Sequence, residues 1–284
     1  MAASLNPYIS KFDAGFDAEK SSQYRMTIQF SLGGFSYALL DTKSQTLIAL
    51  ECFQSDTLTD SAELFHATER ALEHKNLNSK DFESVVCLID ERTNTLVPTL
   101  LFDEKEAANH LDFAFHLSSE QSILSEALEM EDCVNVYATS KSLLSKIRTR
   151  WPTARVRHSS TVFIDSSLRY APEGNAAFVQ VKNRNFDMAI VKDGHLSFYN
   201  NFKFNTKDDF AYFLLFAIEQ NGFSGLELPV CLSGLILPAS EIVELSKRYI
   251  QHLSFVEDRH KFQVSDALGD VPFQYYYLLY QALR

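Results

Sequence analysis

One order of elements occurs twice in this chain, and it limits the available folds more than any other feature. The second copy is the clearer. Phe178, Val179 and Val181 give a first strand its apolar body, and Phe186, Met188, Ala189, Ile190 and Val191 build the next. Lys192-Asp193-Gly194 is a hairpin turn, because Asp and Gly accept the positive φ that two-residue turns require. Residues 196–204 return as a third strand, a helical stretch covers 208–222, and 229–234 is a short apolar strand. The earlier copy has strand-like runs at 26–32, 35–40 and 46–53, joined by Gly33-Gly34 and by the turn from Asp41 to Gln45. A helix over 61–74 and the apolar run 85–90 complete it. Cys87 and Cys231 are placed at the same point of the two copies. Repetition of a whole supersecondary unit predicts two related α/β halves, each with a mixed sheet of about five strands whose second strand is antiparallel.

Strand–strand–strand–helix–strand is the order of a ribonuclease-H-like half-domain. The duplicated unit resembles the actin-like ATPase fold of actin, sugar kinases and heat-shock chaperones, and is most similar to its bacterial cell-division and type IV pilus assembly members. The likeness covers most of the chain after Tyr24. It also resembles a small bacterial family of this fold whose function is not assigned. In that fold the first hairpin of each half carries an Asp-x-Gly phosphate motif. Ser31-Leu32-Gly33-Gly34 lies where the first would be, and the run from Val179 to Asp187 can be laid on the second. Leu232-Ser233-Gly234-Leu235 resembles the later segment that touches adenosine.

The resemblance implies a relic nucleotide cleft formed by Ser31, Gly33, Gly34, Gln180, Lys182, Asn183, Arg184, Ser233 and Gly234. The family aspartates direct Mg²⁺, but here their positions are Ser31 and Gln180, which bring no carboxylate charge. Gly33 and Gly34 leave the first turn open to a phosphate, while the side chains of Lys182, Asn183 and Arg184 fill the second. The cations there either hold an anion without metal or face solvent or a partner surface, the latter being expected. A pseudo-ATPase follows, with no catalytic residue, no metal and no cofactor expected. Two functions stay open: a non-catalytic scaffold or adaptor, and a nucleotide- or phosphometabolite-binding protein or ATPase using the interdomain cleft.

Charge bears on partners. A net charge of −11 argues against general nucleic-acid binding, since a phosphate backbone is repelled at long range. One stretch departs from that balance, with Lys141, Lys146, Arg148, Arg150, Arg155, Arg157 and His158 around Trp151. Arg148, Arg150, Arg155 and Arg157 are a candidate docking face for an unidentified protein partner; the alternative is a solvated face of a helix over 140–150. No run reaches the roughly 20 apolar residues that span a bilayer. The start of the chain lacks the basic and apolar regions of a signal peptide, so a cytoplasmic bacterial protein is expected. The cysteines, Cys52, Cys87, Cys133 and Cys231, sit singly in apolar runs and are expected as buried free thiols.

The expected organisation is an N-terminal arm over 1–23, loose except where Tyr8, Ile9 and Phe12 pin a segment; a first actin-like subdomain over 24–170; and a second over 171–284. The turn Tyr170-Ala171-Pro172-Glu173-Gly174 marks the boundary. Within the first, Pro98 restricts 96–102 to a sheet edge, 104–110 reads as a short helix, and 121–129 and 133–139 read as a strand pair. Residues 162–168 are expected to be helical, as is the terminal segment rich in tyrosine.

Overall fold

The computed structural model describes residues 6–31, 33–55, 58, 60–171, 173–257 and 262–284. Leu32, Pro172 and the first five residues of the expected arm lie outside the described residues. In chain order, β1 (Pro7–Phe12), β2 (Tyr24–Ser31), β3 (Gly34–Asp41) and β4 (Thr46–Gln54) precede α1 (Ser61–His74) and β5 (Ser84–Asp90). Next come β6 (Asn94–Pro98), α2 (Ala107–Asp112), β7 (Gln121–Ala127), β8 (Cys133–Ser140), α3 (Lys141–Arg150), β9 (Arg155–His158) and α4 (Ser159–Tyr170). The second copy supplies β10 (Ala176–Val181), β11 (Asn185–Lys192), β12 (His195–Lys203), α5 (Lys207–Gln220), β13 (Val230–Gly234), α6 (Glu241–Ser246) and β14 (Leu253–Phe255). Short β15 (Gln263–Val264) and α7 (Tyr277–Ala282) follow.

The strand orders repeat. One sheet runs β4-β3-β2-β5-β9 and the other β12-β11-β10-β13-β14, each with two antiparallel pairings followed by two parallel ones. The five strands expected of each half are present. The first sheet gains two more, because β1 pairs antiparallel with β4 and β15 pairs parallel with it, making seven. The segment expected to be pinned by Tyr8, Ile9 and Phe12 is therefore sheet. The third sheet, β6-β8-β7, places Pro98 on an edge strand as its missing N–H requires.

Local chemistry fixes these elements. Asp193 at φ 52° and Gly194 at φ 79° make the left-handed turn between β11 and β12. Asp60, Ser140 and Thr206 each accept backbone N–H bonds at the starts of α1, α3 and α5, and Asp209 completes a capping box with Thr206. Burial then assembles the layers. Met26, Ile28 and Phe30 face α1, while Val179, Val181 and Phe186 face α5. Between the sheets lies α4, whose residues from Ser159 to Leu168 are all buried. Its Val162, Phe163 and Ile164 join Val86 and Leu88 of β5 to Phe178 of β10, Cys231 of β13 and Tyr277 of α7. Tyr277 is a core residue for this reason, while Tyr276 and Tyr280 pack against Ala38, Leu40 and Leu47 on β3 and β4.

The cysteine alignment needs correction. Cys87 packs on the α1 side of its sheet, but Cys231 packs on the α4 side of the other. The residues of β13 that face outward are Val230 and Leu232. A slip of one residue in a strand reverses every side chain, so the two thiols are not equivalent. None of the four cysteines is in a disulfide; Cys133 is half-buried and the others are buried.

A lysine-filled cleft as candidate functional site

Alternation in the central strands delivers polar groups to one place. Ile28 and Phe30 point into the core under α1, so Gln29 and Ser31 point the other way. Val179 and Val181 do the same under α5, which turns Gln180 and Lys182 toward the first sheet. Asp90 ends β5 in register with Ser31. Asp187, on β11, is in register with Gln180 and Asn201. The start of α4 closes the space with His158, Ser159 and Ser160, all buried.

Lys182 occupies the centre. Its Nζ lies 2.5 Å from Asp90 Oδ1 and 2.6 Å from Asp187 Oδ2, which ties the two sheets together through one ammonium. Asp90 also accepts from Ser159 Oγ at 2.6 Å and from Gln29 Nε2 at 3.1 Å. Asp187 accepts from Asn201 Nδ2 at 2.5 Å, and Asn201 Oδ1 in turn accepts from Arg92 Nε at 2.6 Å. Burial alone would raise the Asp90 carboxyl; Lys182, Ser159 and His158 outweigh it and hold it below the usual carboxylate range. Burial would likewise discharge Lys182, but Asp187 and Asp90 hold its pKa above the ordinary lysine value.

His158 is neutral in this setting. Burial is the main cause, and the pKa falls to about 4. Its Nε2–H donates to the Glu91 carbonyl at 2.9 Å, and Nδ1 accepts from Ser160 Oγ at 2.6 Å and Ser160 N–H at 3.2 Å, capping α4. Ser160 Oγ is also held by Asn94 and Asn135. A serine beside a neutral histidine has the chemistry of a nucleophile–base pair. Here both are buried and fully engaged, so the pair reads as structure.

Of the remaining relic positions, Ser31, Gly33, Gly34, Ser233 and Gly234 are closed upon their own backbone and neighbours. Ser31 Oγ donates to Gly34 O at 3.1 Å, and Gly33 N–H donates to Leu58 O at 3.2 Å, so that donor is turned inward rather than toward a phosphate. A side chain at Gly34 would run into the Phe53 carbonyl. Ser233 Oγ is engaged with Gln180 Oε1 and Val179 O. Gly234, at φ 88°, lies against the backbone of Val181, where a Cβ has no room. Asn183 and Arg184 are exposed at the hairpin tip. Lys182 therefore departs from the expectation that it faces solvent or a partner: two buried carboxylates neutralise it, which makes burial affordable.

The basic stretch also divides. Arg157 is buried, held by Glu126 and by Asp165 at 3.4 Å, with Glu129 at 3.7 Å, so it cannot belong to a docking face. Arg150 bonds to the carbonyls of Asn78 and Lys80 and lies 5.2 Å over the Trp151 ring. Only Arg148 and Arg155 of the four are exposed. Among the described residues no group of three or more His, Cys, Asp or Glu could hold a metal, and no helix is long and apolar enough to cross a membrane.

Two mixed sheets of repeated strand order, joined by a buried helix and meeting at paired hairpins, define the actin-like ATPase fold. A crystal structure from Bacteroides thetaiotaomicron VPI-5482, of a protein with actin-like ATPase fold and unknown function, is similar at TM-score 0.74 and 20% identity, over 85% of this chain and 93% of that one. The PilM–PilN type IV pilus biogenesis complex contains a chain similar at TM-score 0.61 and 10% identity, over 91% of this chain and 97% of that one. No curated protein matches the sequence significantly. Residues 13–253 match the family described as Protein of unknown function (DUF3822), and the chain belongs to that family.

Proposed function

We propose that this protein is a non-catalytic member of the actin-like fold, acting in the cytoplasm as a scaffold or adaptor through contacts with another protein. The observation that carries this is the Lys182 ammonium bound between Asp90 and Asp187. With His158 neutral, those three charges sum to one negative charge, so a nucleotide phosphate entering the cleft meets repulsion. A divalent ion meets an ammonium already bound to both carboxylates. The reading is supported by a solved type IV pilus biogenesis complex of PilM with PilN, which contains a chain of the same fold, though fold alone does not choose between roles.

Calorimetry with Mg-ATP, alongside a phosphate-release assay, tests this reading. The expected result is no hydrolysis and no affinity tighter than about millimolar, a binding free energy weaker than about −4 kcal/mol. A micromolar dissociation constant overturns it.

A further inference from the structure

The two halves treat one sheet edge differently. In the first sheet β4 is covered by β1, which lies antiparallel along it with Phe12 opposite Ala49 and Pro7 opposite Phe53. Its counterpart β12 ends the second sheet, and no strand covers it among the described residues. Exposed and half-buried residues alternate irregularly along its length. In an antiparallel edge strand alternate residues direct N–H and C=O away from the sheet. The pairing with β11 slips by one residue at Ser197, and a bond on each side of that bulge identifies the set: Leu196 N–H donates to Glu131 Oε1 at 2.9 Å, and Asn201 N–H to the neighbouring Asn200 Oδ1 at 2.8 Å. Glu131 thus closes the first end of the strand. At the other end, the donor of Asn201 is met only by the side-chain oxygen of the preceding residue, Asn200.

Beside that open end runs an aromatic wall. Phe202 stacks on Phe198 at 6.2 Å and on Phe213 of α5 at 5.3 Å, and Phe213 leads to exposed Tyr212 and Phe216. Charge selects the occupant. Arg184 and Lys203 are exposed at this end, where Phe204 N–H bonds to Arg184 O at 3.1 Å, and neither has an ion pair among the described residues. The opposite end carries Lys192 and His195, in register with each other. Antiparallel pairing of β12 with its own copy would bring Lys203 and Arg184 of one copy toward Lys192 of the other, which is unfavourable. The Glu131 carboxylate that could relieve this is already engaged by Leu196 and His195.

We propose that β12 is the docking edge of this protein and takes an extended acidic segment of a partner protein as an added strand along residues 199–203. This deepens the adaptor reading and rests on it. Strand addition draws affinity from main-chain bonds and selectivity from the flanking side chains, here the ring wall and the two cations.

The probe is a short fluorescein-labelled, end-capped peptide alternating glutamate and valine, with the lysine–valine peptide as control. Anisotropy reports binding, and hydrogen exchange with mass spectrometry reports its place. The glutamate peptide is expected to bind, to slow exchange within β12, and to lose affinity about tenfold or more in Arg184→Glu/Lys203→Glu. The lysine peptide is expected not to bind. Absence of glutamate-peptide binding, protection elsewhere, or indifference to the charge reversal each overturns the proposal. So does a wild-type dimer, seen by light scattering, that protects β12 without peptide. A failure here leaves the Mg-ATP result standing, whereas tight Mg-ATP binding defeats the adaptor reading whatever the peptide does.

Discussion

Replacing Lys182 by methionine keeps most of the side-chain volume and removes the one cation between two buried carboxylates. The side chains of Asp90 and Asp187 are 6% and 2% exposed, and both touch the same nitrogen, so their oxygens lie within about 5 Å of each other. Unscreened by the ammonium, two such charges repel by about 3 kcal/mol at an effective dielectric constant near 20. The variant has one escape, which is to protonate a carboxylate. From an ordinary value of 3.8 that costs about 4 kcal/mol at pH 7. The expected loss of stability is therefore about 3–4 kcal/mol, in the range for breaking a buried ion pair.

The pH dependence separates this cause from lost packing. In the wild type, Asp90 has a folded pKa below its unfolded value, so its contribution is present above about 3.8 and is lost as pH falls through the folded value. Lys182 has a folded pKa above 10.5, so its contribution is present below that and is lost as pH rises through the folded value. The gap between wild type and Lys182→Met should be widest between these limits. It should narrow toward pH 4, where the protonation that rescues the variant becomes nearly free. Urea unfolding at pH 7 and at pH 4.5 measures both points. A loss under about 1 kcal/mol at pH 7, or a gap equal at the two pH values, refutes the argument.

Other consequences follow from single positions. Gly234→Ala should destabilise by more than about 2 kcal/mol in urea unfolding, because φ is +88° and the new methyl group meets the Val181 backbone. Arg157→Met should cost about 3–5 kcal/mol and Arg148→Met less than about 0.5, a contrast readable by thermal unfolding of both. His158 has a folded pKa of about 4 against 6.5 unfolded, so its contribution is present above 6.5 and is lost as pH falls through 4. Wild-type stability should drop by roughly 2–4 kcal/mol more over that interval than that of His158→Gln, followed by urea unfolding across the range.

The repeated strand order and the Asp193-Gly194 turn could be read from sequence because they depend on neighbours within a few residues. The pairing that defines the cleft could not. Lys182 and Asp90 are 92 positions apart, and nothing in the sequence around either residue says that they meet. One signal was available: Gln29 and Ser31 alternate with Ile28 and Phe30 as Gln180 and Lys182 alternate with Val179 and Val181, which already puts all four on inward faces. No such signal separates the cysteines, because Val86-Cys87-Leu88 and Val230-Cys231-Leu232 read identically and only packing turns them to different faces. Arg157 misled for a related reason. It sits among exposed-looking cations, and its partners Glu126 and Asp165 come from a different strand and from the following helix. For β1 the pattern was too short, since six residues can be read as a strand only once β4 is known to be an edge.

A cation tethered to the polymer has no off-rate. Where a cleft is closed by a dissolved ion and its nucleotide, closure follows their concentrations and lapses when the nucleotide is spent, so the molecule keeps time. Lys182 arrives with the chain at fixed stoichiometry, and under the adaptor reading proposed above the alignment of the two sheets would depend neither on free magnesium nor on the energy charge of the cell. On that reading the molecule would have no clock. Its activity would be set by how much of it is made and by what it meets.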